Sequence, residues 1–259
     1  MKKVYDTINQ YCVEHELLTN GDGIVIGLSG GMDSVCLLQV LAALRNEWQL
    51  RLVCVHVHHG IRGTAADEDA AFAQRLAAKY NISFRLYEMD IPQLAKEQGL
   101  SEEEAGRNYR YRCFEEVRKE LNFDKIAVAH HRDDQAETVL WQILRGSGLR
   151  GVCGMRAGRA NIIRPLLCLD RQQIEQIVRG NGDGWREDAT NREEKYTRNK
   201  IRNRVFPYIE QEIQPMARRH LVELAEDCQR AWDYIERQML EQYERLVYRD
   251  GDTFCFSVD

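Results

Sequence analysis

The run Gly23-Ile24-Val25-Ile26-Gly27-Leu28, the hexapeptide Ser29-Gly30-Gly31-Met32-Asp33-Ser34 and the run Val35-Cys36-Leu37-Leu38-Gln39-Val40-Leu41 follow one another without a break. An apolar strand, a glycine turn and an apolar helix make a βα unit, which commits the chain to a parallel sheet with helices laid against it. The turn carries chemistry as well as shape. Paired glycines let backbone N–H groups close around phosphate oxygens, and the helix that follows adds the partial positive charge of its N-terminus. The loop lacks the lysine of a Walker A motif and holds Asp33 instead, which repels bare phosphate but suits a Mg²⁺ that bridges phosphates. A tight turn without function would also use Gly-Gly, yet it needs neither the acid nor the two serines.

Further apolar runs near 51–57, 82–87 and 125–130 alternate with segments of helical period, and a short fifth strand is expected at Asn161-Ile162-Ile163-Arg164. The fold class is therefore α/β: a doubly wound, mostly parallel five-stranded sheet of order 3-2-1-4-5 with a helical C-terminal extension. In that order strands one and four meet at the reversal point, so the loops that follow them should face each other at the ligand crevice. Helix starts are expected near Thr64 with Asp67, at Ser101 with Glu104 and at Asp170 with Gln173, each with the three-residue spacing of a capping box. After Pro207 and Pro215 the character changes to a long polar helix, about 216–246, then an Asp250-Gly251-Asp252 turn and a partly apolar run. The expected division is 1–215 for the catalytic domain and 216–259 for an extension that opens a second module.

In a chain of 259 residues, 44% of them hydrophobic, the apolar runs are too short to span a bilayer. Residues 1–11 have no signal-peptide organisation, so the expected location is the cytoplasm, with no membrane partner. Eight cysteines occur singly with no C-x-x-C pair, the pattern of buried reduced thiols. The net charge is −5, yet between Arg145 and Phe206 fourteen Lys and Arg stand against seven Asp and Glu. Such a basic stretch attracts a polyanion, although a solvated surface has the same composition.

Four clusters are candidates for chemistry. His130-His131-Arg132-Asp133-Asp134-Gln135-Ala136-Glu137-Thr138 follows strand four, and helix capping accounts for only one of its acids. Asp134 and Glu137, one helical turn apart, suit a Mg²⁺ or an amine substrate, and either can take a proton from that amine. His56, His58 and His59 end strand two before Gly60-Ile61-Arg62-Gly63; a zinc site would need acidic or thiolate ligands at helical spacing, so His58 and Arg62 are expected at the nucleotide pocket. Arg107, Arg110 and Tyr111 share one helix face, where a guanidinium can neutralise departing pyrophosphate or clamp an RNA phosphate. The last cluster is Trp185-Arg186-Glu187-Asp188-Ala189-Thr190-Asn191 with Tyr196-Thr197-Arg198-Asn199-Lys200-Ile201-Arg202, whose acids, amides and spaced arginines suit a zwitterionic amine beside a base or phosphate.

The hexapeptide resembles the PP-loop of N-type ATP pyrophosphatases. Together with His58-His-Gly-Ile-Arg-Gly63, Ser101-Glu-Glu-Glu-Ala-Gly-Arg107, the His130–Thr138 motif, Leu144-Arg-Gly-Ser-Gly-Leu-Arg150, Glu187-Asp-Ala-Thr-Asn191 and Thr197-Arg-Asn-Lys-Ile-Arg202, it is similar to the tRNA(Ile)-lysidine synthase family up to about residue 215. That resemblance implies ATP and Mg²⁺ as cofactors and, as substrates, L-lysine and an isoleucine tRNA with a CAU anticodon. It assigns Ser29, Gly30, Gly31, Met32, Asp33 and Ser34 to ATP, Asp33 and Asp134 to metal, Asp134 and Glu137 to metal or lysine, Arg110 to phosphate, and Arg198 and Arg202 to lysine or tRNA. Arg107, His131 and Asp188 join them on the substrate side. Members of the family continue into further modules that help to grip the tRNA, whereas this sequence stops soon after Phe256; a homodimer is left open. A PP-loop tRNA thiolase or amidating enzyme shares the ATP site, but the missing thiol pair counts against it. An inactive nucleotide- or RNA-binding module is the other alternative, and the acids beside the loop count against that.

Overall fold

The computed structural model describes residues 2–58, 64–186 and 197–256, apart from the side chains of 64–66 and 250. The chain falls into two compact units, Met1–Asp133 with Arg156–Asn191 and Asp134–Met155 with Arg192–Asp259.

The first unit opens with α1 (Lys2–Glu14) and then runs β1 (Gly23–Gly27), α2 (Met32–Leu44), β2 (Arg51–His58), α3 (Thr64–Lys79), β3 (Ser83–Glu88), α4 (Ile91–Gln98), α5 (Glu102–Glu120) and β4 (Lys125–Ala127). After α6 (Arg132–Leu144), whose first two residues belong here, and α7 (Leu149–Val152) of the second unit, it resumes with β5 (Gly158–Arg159), β6 (Ile162–Ile163) and α8 (Arg171–Gly180). Strand order is β3-β2-β1-β4-β6-β5, and every pair from β3 to β6 is parallel. Five strands therefore stand in the expected 3-2-1-4-5 order. The sheet has six strands rather than the expected five, because β5 pairs antiparallel with β6 at the edge. Two residues are too few to show a period, so this strand leaves no signal in the sequence.

Helices cover both faces, which is why the strands read as continuous apolar runs rather than alternating ones. One face packs α1, α2, α3 and α8 through residues such as Ile8, Leu37, Leu41, Leu76 and Ile174. The other packs α4 and α5 onto Val25, Val53 and Val55 through Ile91, Phe114 and Val117. α2 is apolar on nearly every side and almost wholly buried, as a central helix must be. The sequence caps hold where they can be seen: Ser101 accepts from Glu104 N, and Asp170 with Gln173 forms a reciprocal capping box.

The second unit holds the rest of α6, α7, α9 (Thr197–Lys200), a π-helical turn (Ile201–Val205), α10 (Phe206–Glu212), α11 (Ala217–Leu246) and the hairpin of β7 (Val247–Asp250) and β8 (Thr253–Phe256). Its small core gathers Ala136, Ile201, Phe206 and Val222. The π turn has a local cause, since Pro207 near the start of α10 has no N–H to give and the Phe206 N–H reaches back five residues to Ile201 O. No helix among the described residues is long and apolar enough to cross a membrane.

Candidate functional site

β1 is paired in parallel with both β2 and β4, so it stands at the reversal of strand order, and the loop that follows it is the hexapeptide. Gly30 has φ +89, a left-handed conformation that L side chains rarely adopt, so the turn calls for glycine there. The Ser34 hydroxyl gathers the loop: it accepts from the amides of Ser29 at 3.2 Å and Gly30 at 3.1 Å and donates to Gly31 O at 2.8 Å. Ser29 Oγ accepts from Gly31 N at 3.3 Å. These bonds hold the loop in shape while the first-turn amides of α2, from Met32 onward, have no intrahelical acceptor and face an incoming anion.

Asp33 sits in that first turn. Its Oδ1 is buried without a hydrogen-bond partner, and its Oδ2 lies 3.7 Å from Nε2 of His131, which follows β4. His131 is buried, and its Nδ1 accepts from Asp133 N at 3.2 Å, which leaves the proton of the neutral ring on Nε2, toward Asp33. A buried carboxylate oxygen without a donor is costly and suits a hard cation. Mg²⁺ keeps most of its ligands as water and phosphate oxygens, so one protein carboxylate beside a phosphate loop fits it. The loops after β1 and β4 thus face each other, as the strand order requires.

His56 Nδ1 donates to Leu28 O at 2.8 Å, tying the ends of β1 and β2 together. Its pKa is lowered, first by burial, and the carbonyl partner fixes the proton on Nδ1. His58 Nε2 lies 3.4 Å from Asp67 on α3. Arg110 lies in electrostatic range of His56, while the Arg107 guanidinium stacks on the Tyr111 ring at 5.1 Å. Arg186 extends the set. Its N–H donates to Gly30 O at 2.9 Å, and its guanidinium holds Asp69 and Glu68, each at 2.7 Å. It lies inside the Trp185–Asn191 cluster of the sequence, but no spacing rule links it to Gly30, 156 positions earlier.

In the second unit α6 presents Asp134 and Glu137 to two arginines. Arg198 Nε donates to Glu137 Oε2 at 2.9 Å and its Nη2 to Asp134 Oδ1 at 2.8 Å. Arg202 Nε donates to Glu137 Oε1 at 2.6 Å, and its Nη2 to Glu137 Oε2 at 2.8 Å and Asp134 Oδ1 at 2.9 Å. The quartet is neutral in sum. Glu137 has no side-chain exposure, Asp134 has 11%, and the arginines have 37% and 30%. The sequence expected these arginines at lysine or tRNA; in the structure they hold carboxylates. Arg62, Asp188 and the Glu187–Asn191 motif lie outside the described residues.

The strand, phosphate loop and acid-bearing helix define a nucleotide-binding α/β domain of the PP-loop class, and the PP-loop domain family model matches residues 2–209. The chain belongs to that family. Among curated proteins it is 43% identical to the tRNA(Ile)-lysidine synthase of Caldanaerobacter subterraneus subsp. tengcongensis over all of this chain and 55% of that protein. It is 39% identical to that of Clostridium perfringens over 96% of this chain and 53% of the relative. The resemblance read from the motifs is thereby borne out, and the chain spans about half the length of the curated relatives it matches. Among solved structures it resembles a U34-tRNA thiolase from Methanococcus maripaludis with a TM-score of 0.69, at 18% identity, over 87% of this chain and 77% of the thiolase. The NH3-dependent NAD synthetase of Campylobacter jejuni gives a TM-score of 0.50 at 16% identity, over 89% and 93%. At such identities the likeness speaks for the shared fold.

Proposed function

We propose that this chain is the catalytic part of an ATP-dependent tRNA-modifying ligase, which joins L-lysine to the wobble cytidine of an isoleucine tRNA with a CAU anticodon. In this reading residues 1–215 form the catalytic domain, 216–259 begin an extension, and the enzyme works in the cytoplasm. The observation that carries it is the quartet of Asp134, Glu137, Arg198 and Arg202, two cations and two anions with the outer members part exposed. A free amino acid is a zwitterion with a further amine, and a charge-balanced cluster can exchange partners with it at little electrostatic cost.

The resemblance implies two displacements, to which the residues can be assigned. The α2 first-turn amides and the Ser29–Ser34 loop hold the ATP phosphates, and the cytidine O2 attacks the α-phosphorus while the bond to pyrophosphate breaks. Asp33, whose Oδ1 has no protein partner, would hold a Mg²⁺, which would supply neutralising charge for the departing pyrophosphate. His131 keeps Asp33 oriented, and Arg110 is assigned to phosphate. The lysine ε-amine then attacks C2 of the adenylated base, AMP leaves, and the amine proton passes to a carboxylate. Both oxygens of Glu137 are held by arginine and the side chain is sealed from solvent, so we assign it to positioning and Asp134 to the amine. Arg198, the more exposed arginine, uses Nε and Nη2 on the carboxylates and offers its remaining edge to the lysine α-carboxylate.

Sulfur transfer is less well supported. The eight cysteines include no C-x-x-C pair, and burial pushes the thiols of four of them, Cys12, Cys54 and Cys168 to about 12 and Cys36 further, toward the protonated form, a poor nucleophile. The test incubates the protein with ATP, Mg²⁺, labelled lysine and an isoleucine tRNA transcript bearing CAU, with a methionine tRNA as control. Label in the isoleucine tRNA alone, with AMP and pyrophosphate released, is the expected result. ATP binding without any label in RNA would overturn the proposal.

A further inference from the structure

Arg164 follows β6 directly, at the end of the sheet where β1 and β4 carry their loops. It is 8% exposed. Its Nη1 donates to Arg156 O at 2.9 Å, its Nε is buried with no hydrogen-bond partner, and among the described residues no carboxylate pairs with it. Burial lowers its pKa first of all; Tyr111 and Tyr11 oppose that shift, and the cations Arg107 and Arg159 add to it. Buried ions are normally matched by a counter-ion or a metal, because desolvation is otherwise uncompensated. A buried guanidinium among further cations is matched only when an anion arrives from outside.

We infer that Arg164, with Arg107 and Arg159, forms an anion subsite separate from the nucleotide loop and that its ligand is a backbone phosphate of RNA. The Nε and Nη2 edge of Arg164 has the fork geometry that meets two phosphate oxygens side by side. Arg107 and Arg159 are exposed, whereas Arg164 is 8% exposed with its Nε sealed, so an anion from solvent meets the outer arginines first, and the Arg107–Tyr111 stack offers a flat face beside them. β6 lies two strands from β1, about 10 Å across the sheet, which sets Arg164 apart from the Ser29–Ser34 loop. The choice of RNA rests on the function proposed above.

The test is the affinity of the whole chain for a labelled tRNA transcript across a salt series, with ATP affinity and thermal unfolding measured in parallel, for wild type, Arg164→Met and Arg164→Lys. The Met variant should bind RNA about tenfold more weakly or worse, and its log K against log salt slope should flatten by about 1. ATP affinity should stay within about twofold and Tm should not fall, since a buried unpaired charge has been removed. Arg164→Lys keeps the charge without the fork and should keep the slope while losing affinity. Unchanged RNA affinity in Arg164→Met, with or without a fall in Tm, would reduce Arg164 to its bond with the Arg156 carbonyl. A parallel loss of ATP affinity would make this a nucleotide subsite and overturn the inference. A wild-type chain that binds RNA but transfers no lysine sinks the proposed reaction and leaves the subsite standing; one that binds no RNA refutes both.

Discussion

Glu137→Gln removes one charge from the second unit without changing its volume. Glu137 is sealed from solvent and accepts from Arg198 Nε at 2.9 Å and from Arg202 Nε and Nη2 at 2.6 and 2.8 Å. Hydrogen bonds to charged groups contribute about 1.5–3 kcal/mol each, so the three set an upper bound of about 4.5–9 kcal/mol. Two discounts apply. The arginines are 37% and 30% exposed and partly rehydrate, and the amide oxygen of Gln still accepts one bond. About 3 kcal/mol remains, or a fall in Tm of about 6–12 °C for a chain of this size. Since the loss belongs to the second unit, hydrogen exchange locates it: amides of Arg198–Val205 should exchange about two orders of magnitude faster, while those of β1 and β2 keep their protection. Adding Arg202→Met should cost less than the sum of the single changes, because the second substitution removes a charge that the first had stranded. A Tm shift below about 1 °C with unchanged exchange, or strict additivity of the pair, would refute the claim that the quartet holds this unit together.

Asp33→Asn should cut AMP and pyrophosphate release at least about 100-fold without lowering Tm, because Oδ1 has no protein partner to lose; near-normal turnover would remove the metal role. His56 has a lowered pKa, so its contribution to stability is present above the ordinary value of 6.5 and is lost as pH falls through the folded value. Denaturant titrations from pH 7.5 to 5 should therefore show a decline that His56→Gln flattens, and equal slopes for the two proteins would contradict this. Gly154 has φ +64, and its Cβ would stand 2.7 Å from Gln135 Oε1, which is fixed by the Met155 amide at 2.7 Å. Gly154→Ala should lose about 2–4 kcal/mol by calorimetry, against under 1 kcal/mol if the Gln135 side chain can swing aside.

What was legible in the chain follows the range of the forces involved. The βα unit around Ser29–Ser34, the parallel order and the box at Asp170 all depend on neighbours a few residues apart, where period, glycine and capping chemistry leave marks in one dimension. The same local logic brought Asp134 and Glu137 together, one turn apart on α6. It was silent on their counter-ions, because Arg198 and Arg202 reach them across 61 to 68 positions and nothing in an arginine's local sequence says whether it will hold a carboxylate or a ligand. Arg164 shows the same limit from the other side. Its neighbours in sequence, Ile163 and Pro165, announce a strand end, but that a guanidinium would be buried there without an acid is set by tertiary packing, which brings in Arg107 from 57 positions earlier. Desolvation is a property of the packed interior, and a charge that folding strands is therefore where structure can add a function that sequence spacing does not contain.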